Sequence, residues 1–227
     1  MMEVKKTGLF LFILIAGLMS ARNAAGSDDA QYWSRYLFKV YSQDKLDFSF
    51  YTEGRMYDNA SWDGLYLFSP QLKYKLNKNL DVQMNYSYLQ TRNSSSKAFA
   101  YQHRIEPEIN PHFMVGDFME VQLRNRMEFR CIENKGWDNT RYRGRVRLNF
   151  PVKDFGMLKS VFMDTEFFYD ISGHDHSEER TTPLGVNLKI TKKTGLQLFY
   201  MIQNQDSKGN GDWLSNEIAG SMITVEF

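Results

Sequence analysis

From about residue 30 to its last residue the chain alternates polar and apolar side chains, and few folds accept that pattern at such length. In "LDVQMNYSY" Leu80, Val82, Met84, Tyr86 and Tyr88 alternate with Asp81, Gln83, Asn85 and Ser87. In "KLDFSFYTEGRMY" Leu46, Phe48 and Phe50 alternate with Asp47, Ser49, Tyr51, Glu53 and Arg55. A period of two puts the two sets on opposite faces of a strand, whereas on a helix they would scatter around the axis. The same rhythm marks "YQHRIEPEI", "MEVQLRNRMEF", "RYRGRVRLNF", "VFMDTEFFYD", "PLGVNLKI", "GLQLFYMIQ" and "AGSMITVEF", and more loosely "GLYLFSPQLKYKL" and "YWSRYLFKV", eleven candidate strands in all. Most run about 9 to 13 residues, the length a tilted strand needs to cross a bilayer and longer than the roughly 5 or 6 usual in soluble sheets.

The connections alternate as well. Tight joins such as "LNKN" and "TKKTG" interleave with the longer polar stretches "DNASWDG", "TRNSSSKA", "IENKGWDNT", "SGHDHSEERTT" and "NQDSKGNGDW". Outer-membrane barrels show this asymmetry of short periplasmic turns and longer external loops. The pattern therefore predicts an all-β fold, a single antiparallel transmembrane β-barrel. A single-chain bacterial barrel has an even number of strands, so the count resolves to ten if 33–40 is not a full strand, or twelve if one more is hidden.

Composition taken alone points elsewhere. With 42% hydrophobic and 24% charged residues, the 227-residue chain resembles a soluble protein, because a membrane barrel also turns half of its strand residues toward a polar interior. The formal net charge of +1 argues against nucleic acid as a partner, since acids nearly match bases. The N-terminus explains the compartment: Lys5 and Lys6, an uncharged run from Thr7 to Ala21, then Ala24, Ala25 and Gly26 form a secretory signal peptide over 1–26. Residues 27–227 are then the mature barrel, with outer-membrane lipid around it and no cofactor or metal expected. Cys131, alone, cannot form an internal disulfide and is expected to be a buried or lumenal small residue.

The two faces carry different chemistry. Val121, Leu123, Met127, Phe129, Val146, Leu148, Phe150, Val161, Met163, Phe167 and Tyr169 suit acyl chains. The opposite face is ionised, with Glu53 and Arg55, then Arg104, Glu106 and Glu108, then Glu120, Arg124, Arg126, Glu128 and Arg130, then the row Arg141, Arg143, Arg145 and Arg147, then Asp164, Glu166 and Asp170. These are expected to line the barrel lumen, where neighbouring strands set acids beside bases. Such a network either fills a narrow barrel with paired side chains or leaves a pore in which the arginine row attracts a small anionic solute. Phe227, in phase with Ile223 and Val225, closes the last strand with the aromatic residue that looks like the signal read by the barrel-assembly machinery.

Several of these stretches also carry a resemblance. "YWSRYLFKV" with Trp33, "FSFYTEGRMYD" with Glu53 and Arg55, "LFSPQLKYKLNKNLDVQMNYSY", "LRNRMEFR" and "EFFYDI" around Glu166 resemble the family of small bacterial outer-membrane barrels known only as a domain of unknown function. The resemblance covers nearly the whole mature chain and implies an outer-membrane location with no established activity.

Two rival classes remain open. A hydrolase could use "GHDHSEE", where His174, His176 and Ser177 lie between Gly173 and Glu179; His176 and Ser177 are adjacent and so point to opposite faces of a strand, unlike a histidine base beside its serine. His174 and His176 could also hold a metal, but a solvated external loop explains them as well. His103 and His112, on the fifth strand, are expected to serve in the interface or in packing. A secreted lectin-like barrel is the third reading, and it would have to bury the apolar face within a sandwich.

Overall fold

The computed structural model describes residues 29–93, 96–153, 155–206 and 213–227; the expected signal peptide lies outside them. Every described element is a strand: β1 (Asp29–Gln43), β2 (Leu46–Tyr57), β3 (Trp62–Asn77), β4 (Leu80–Arg92), β5 (Phe99–Val115), β6 (Met119–Ile132), β7 (Gly136–Pro151), β8 (Leu158–Asp170), β9 (Asp175–Lys189), β10 (Thr194–Asp206) and β11 (Trp213–Glu226). They form one closed barrel in which each strand pairs with its sequence neighbours and β1 meets β11. Among the described residues no second sheet covers the apolar face.

All eleven candidate strands are present, within the expected ten to twelve, and the odd number sets aside the even count of either bound. Successive hairpins reverse direction, and the ten reversals between eleven strands, an even number, bring the first and last strands together running the same way. The seam is accordingly parallel, in register from Asp29 against Asn216 to Lys39 against Glu226, while every other junction is antiparallel. The amide of Phe227 extends the seam by donating to the Lys39 carbonyl at 3.2 Å. Stretch 33–40 is thus a full wall strand, held on both edges.

The strands are longer than the alternation suggested. Much of each polar connection belongs to the ladder: β3 starts at Trp62, β7 at Gly136 and β9 at Asp175, so His176 and Ser177 sit on a strand rather than in a loop. Beyond the apolar band both faces of a strand meet water, hydrogen bonding continues, and the alternation that reveals a strand is lost.

All five prolines, Pro70, Pro107, Pro111, Pro151 and Pro183, lie in strands. The wall accommodates them where pairing is interrupted. The β5–β6 register passes from Ile105–Phe129 to Glu108–Arg126 and from Ile109–Asn125 to His112–Gln122, stepping over Pro107 and Pro111, which lack a donor. At Pro183 the β8–β9 register shifts, a bulge at the missing N–H.

Aromatic rings from the neighbouring strand lie over several glycines, and two of these pairs shape the core. Gly220 faces Phe199 and Gly185 faces Phe162, and a Cβ at either glycine would lie 2.0 Å from the ring's Cζ. Phe162 and Phe199 are thereby laid flat against the inner wall, where they join Trp33, Met201 and Ile218 in a buried apolar cluster.

Outside, the surface is apolar, with aliphatic residues such as Leu72, Met84, Ile105, Ile109 and Val146 exposed along the wall. Aromatic residues gather toward both ends: Phe99, Tyr101, Trp137 and Trp213 near the starts of their strands, and Tyr41, Tyr74, Phe113 and Phe227 near the short turns. Cys131 is half-buried and pairs with His103 on this outer face, not in the lumen, because it shares the phase of exposed Phe129.

Two tests follow from the wall. In a Cys131→Ser background, Tyr36→Cys with Ile223→Cys joins register partners on the parallel seam. Oxidation is expected to cross-link them within one chain and keep the barrel's gel mobility; no cross-link would rule the seam out. Gly220→Val forces Phe199 off the wall and is expected to destabilise the refolded barrel by about 1–3 kcal/mol, measured by urea unfolding followed through tryptophan fluorescence.

Candidate functional site

A barrel of roughly eight strands is just wide enough for side chains to fill, and one of about 16 to 18 leaves an aqueous channel. Eleven strands fall between these limits. Their interior holds a cavity of about 1070 Å3. It is bordered by Asp29, Asp58, Trp62 and Arg92 at the loop end and by Lys73, Asp81, His112 and Glu120 at the turn end.

Alternation decides which residues reach it. Glu53, Arg55, Arg104, Glu106, Glu108, Glu120, Arg124, Arg126, Arg141, Arg143, Arg145, Arg147, Asp164 and Glu166 all border the cavity. Glu128, Arg130 and Asp170 point inward without bordering it. Glu128 is fully buried beneath the guanidinium groups that surround it, and Arg130 is tied to Asp170 at 2.5 Å, beside the β8–β9 connection.

Glu128 is the hub of the charged wall. It accepts from Arg141 Nη2 at 2.8 Å and Arg143 Nη1 at 2.6 Å, with Arg104 Nη1 at 3.6 Å. Arg143 also reaches Glu166 at 3.1 Å, where Arg124 contributes a second contact at 2.5 Å. Arg126 bridges Glu106, at 3.2 Å, and Glu108. Ser87 donates to Glu106 at 3.0 Å and Asn85 to Glu108 at 2.8 Å, so the carboxylates gain further donors from β4. Arg147 holds Asp164 at 2.5 Å. On the far wall Glu53 receives Arg35 at 3.2 Å, together with Arg55 and Tyr51. Buried charges are tolerable when paired and hydrogen-bonded in this way.

The row of four arginines is therefore not uniform. Arg141, Arg143 and Arg147 are each held by carboxylates. Arg145 has none within ion-pair distance among the described residues, and its Nε is buried without a hydrogen-bond partner.

Several interior residues lay outside the sequence reading. The Trp33 ring is fully buried, with the Arg55 guanidinium 3.7 Å from its centroid and those of Arg180 and Arg35 at 4.9 and 5.2 Å. Phe168 lies under Arg143 and Arg180, each at 4.5 Å, and Phe162 under Arg147 at 4.2 Å. Stacking on rings holds the guanidinium planes in place. Phase would have found Phe162 and Phe168, which share the parity of Asp164 and Glu166. Glu178 and Arg180, paired at 2.6 Å, were hidden in a stretch read as a loop.

The histidines separate. His112 lies inside, 3.8 Å from both Asp81 and Glu120, whereas His103 Nδ1 is 2.6 Å from the Tyr86 hydroxyl on the outer face. His176 contacts Glu179 at 3.1 Å and stacks with Trp213. Ser177 turns instead to the Phe168 carbonyl at 3.5 Å, so the two do not form a dyad. His174 occupies the tight turn, with φ of 54°. Among the described residues no cluster of three or more His, Cys, Asp or Glu side chains could hold a metal ion.

A family model described as Protein of unknown function (DUF2490) matches residues 30–215. No curated protein matches the sequence. Among solved structures, the siderophore receptor PirA from Pseudomonas aeruginosa is similar at 14% identity and a TM-score of 0.31, over 78% of this chain and 34% of the receptor. The chain thus spans about a third of that receptor's length.

The hub predicts a sign. Glu128→Gln leaves Arg104, Arg141 and Arg143 short of one buried carboxylate and is expected to destabilise the barrel by about 3–5 kcal/mol, read as a lower urea midpoint. An unchanged midpoint would mean that the hub does not hold the wall.

Proposed function

The chain belongs to the DUF2490 family of proteins of unknown function, and from that footing we propose that it is an outer-membrane β-barrel whose charged interior forms a narrow channel for small solutes. The observation that carries this reading is the cavity bordered by residues from both ends of the barrel. Spread over the about 25 Å height of an apolar membrane band, a volume of about 1070 Å3 corresponds to a bore on the order of 40 Å2. That admits water and single small ions and excludes bulky solutes.

The exterior supports the location. An apolar surface flanked at both ends by aromatic residues suits the chemistry of a bilayer, and a surface this large would associate or aggregate in water. Closure leaves no strand edge unpaired in lipid, as a membrane requires. We read Phe227, 75% exposed just past β11, as the residue that the assembly machinery engages. A hydrolase has no comparable support, since Ser177 and His176 serve separate partners.

The reading is tested by expressing the full chain in a Gram-negative host and refolding it from detergent. Recovery in the outer-membrane fraction, heat-modifiable gel migration and small, uniform conductance steps in planar bilayers are expected. Recovery as a soluble periplasmic protein would overturn the location, and a silent bilayer would overturn the channel.

A further inference from the structure

Arg145 faces Arg124 on β6 and Glu166 on β8. The carboxylate is already shared, because Arg124 and Arg143 both contact the same oxygen, Glu166 Oε1, at 2.5 and 3.1 Å. The next acid along that face, Asp164, is held by Arg147 through Nη2 at 2.5 Å and Nε at 2.7 Å. The charges that reach Arg145 are those of Arg124, Arg147, Asp164 and Glu166. The Nε atoms of Arg124 and Arg145 are buried with no hydrogen-bond partner. Arg124, Arg145 and Arg147 all border the cavity. Arg147 is braced on a ring, 4.2 Å from Phe162.

The geometry points to an oxyanion-binding site centred on Arg145 and completed by Arg124 and Arg147, inside the proposed channel, on which it rests for solute access. A cluster of guanidinium groups with too few carboxylates leaves positive charge and unused donors in a confined space, and a guest anion supplies both the countercharge and the acceptors. The planar fork of arginine matches a carboxylate or phosphate in a way that a spherical halide does not. The ligand class is therefore a compact oxyanion, small enough for the bore. This separates the arginines of the row by role: Arg141, Arg143 and Arg147 hold the wall's own acids, and Arg145 is left to a solute.

The test titrates inorganic phosphate into the refolded full chain in detergent by calorimetry, with heat-modifiable migration as the folding control for each variant. Saturable binding is expected for the unaltered protein. Arg145→Gln should weaken it at least tenfold, Arg145→Lys should restore part of it, and Lys153→Gln, at an exposed turn, should leave it unchanged. Since Arg145 has no protein partner to orphan, Arg145→Gln should fold with an undiminished urea midpoint, whereas Arg143→Gln should lower it. Equal binding by Arg145→Gln, no binding by any form, or failure of Arg145→Gln to fold would overturn the site. Conductance without phosphate binding would overturn the site and leave the channel standing. Phosphate binding that depends on Arg145 across a silent bilayer would do the reverse.

Discussion

Backbone hydrogen bonding around a closed wall is the constraint on which the rest depends. A strand edge exposed to lipid leaves donors and acceptors unsatisfied at several kcal/mol each, so a chain of hairpins in that setting must return to its own start. With eleven strands the return is parallel, and its evenly spaced, slanted bonds close the wall at one junction, slightly less stable per residue than an antiparallel ladder. Closure then defines an inside, and every later feature follows from what eleven strands enclose.

What they enclose is too wide for small side chains to fill and too narrow to be left to water. Long arginine and glutamate side chains span the difference. Glu128, fully buried among four arginines, illustrates the terms on which charge is admitted: carboxylates carry several donors each, and guanidinium planes rest on Trp33, Phe162, Phe168 and Phe199. The interior is therefore divided. The β5–β8 side carries most of the ion pairs, while Trp33, Phe199, Met201 and Ile218, on β1, β10 and β11, join Phe162 of β8 in an apolar cluster.

Much of this was legible beforehand, for a simple reason. Lipid outside and polar side chains inside impose a two-residue period wherever a strand crosses the apolar band, and that period survives in "LRNRMEFR" and "RYRGRVRLNF" as plainly as in the structure. The extended strand ends were not legible, because the contrast between faces vanishes beyond the band; β9, which begins at Asp175, looked like a loop for that reason. Trp33 was not legible as an interior residue either. An aromatic ring suits a lipid face by composition, and only the guanidinium groups packed against it explain its burial.

The sequence by itself determined that the chain is a barrel and, wherever the alternation is unbroken, which side of a strand faces in, since both follow from local alternation. It could not determine the neutralisation of the arginine row. Arg141, Arg143, Arg145 and Arg147 have equivalent places in a repeating pattern, yet their counter-charges come from β6, β8 and β9. Which arginine is left over depends on register and on side-chain reach across the barrel. Those distances exist only once the wall has closed.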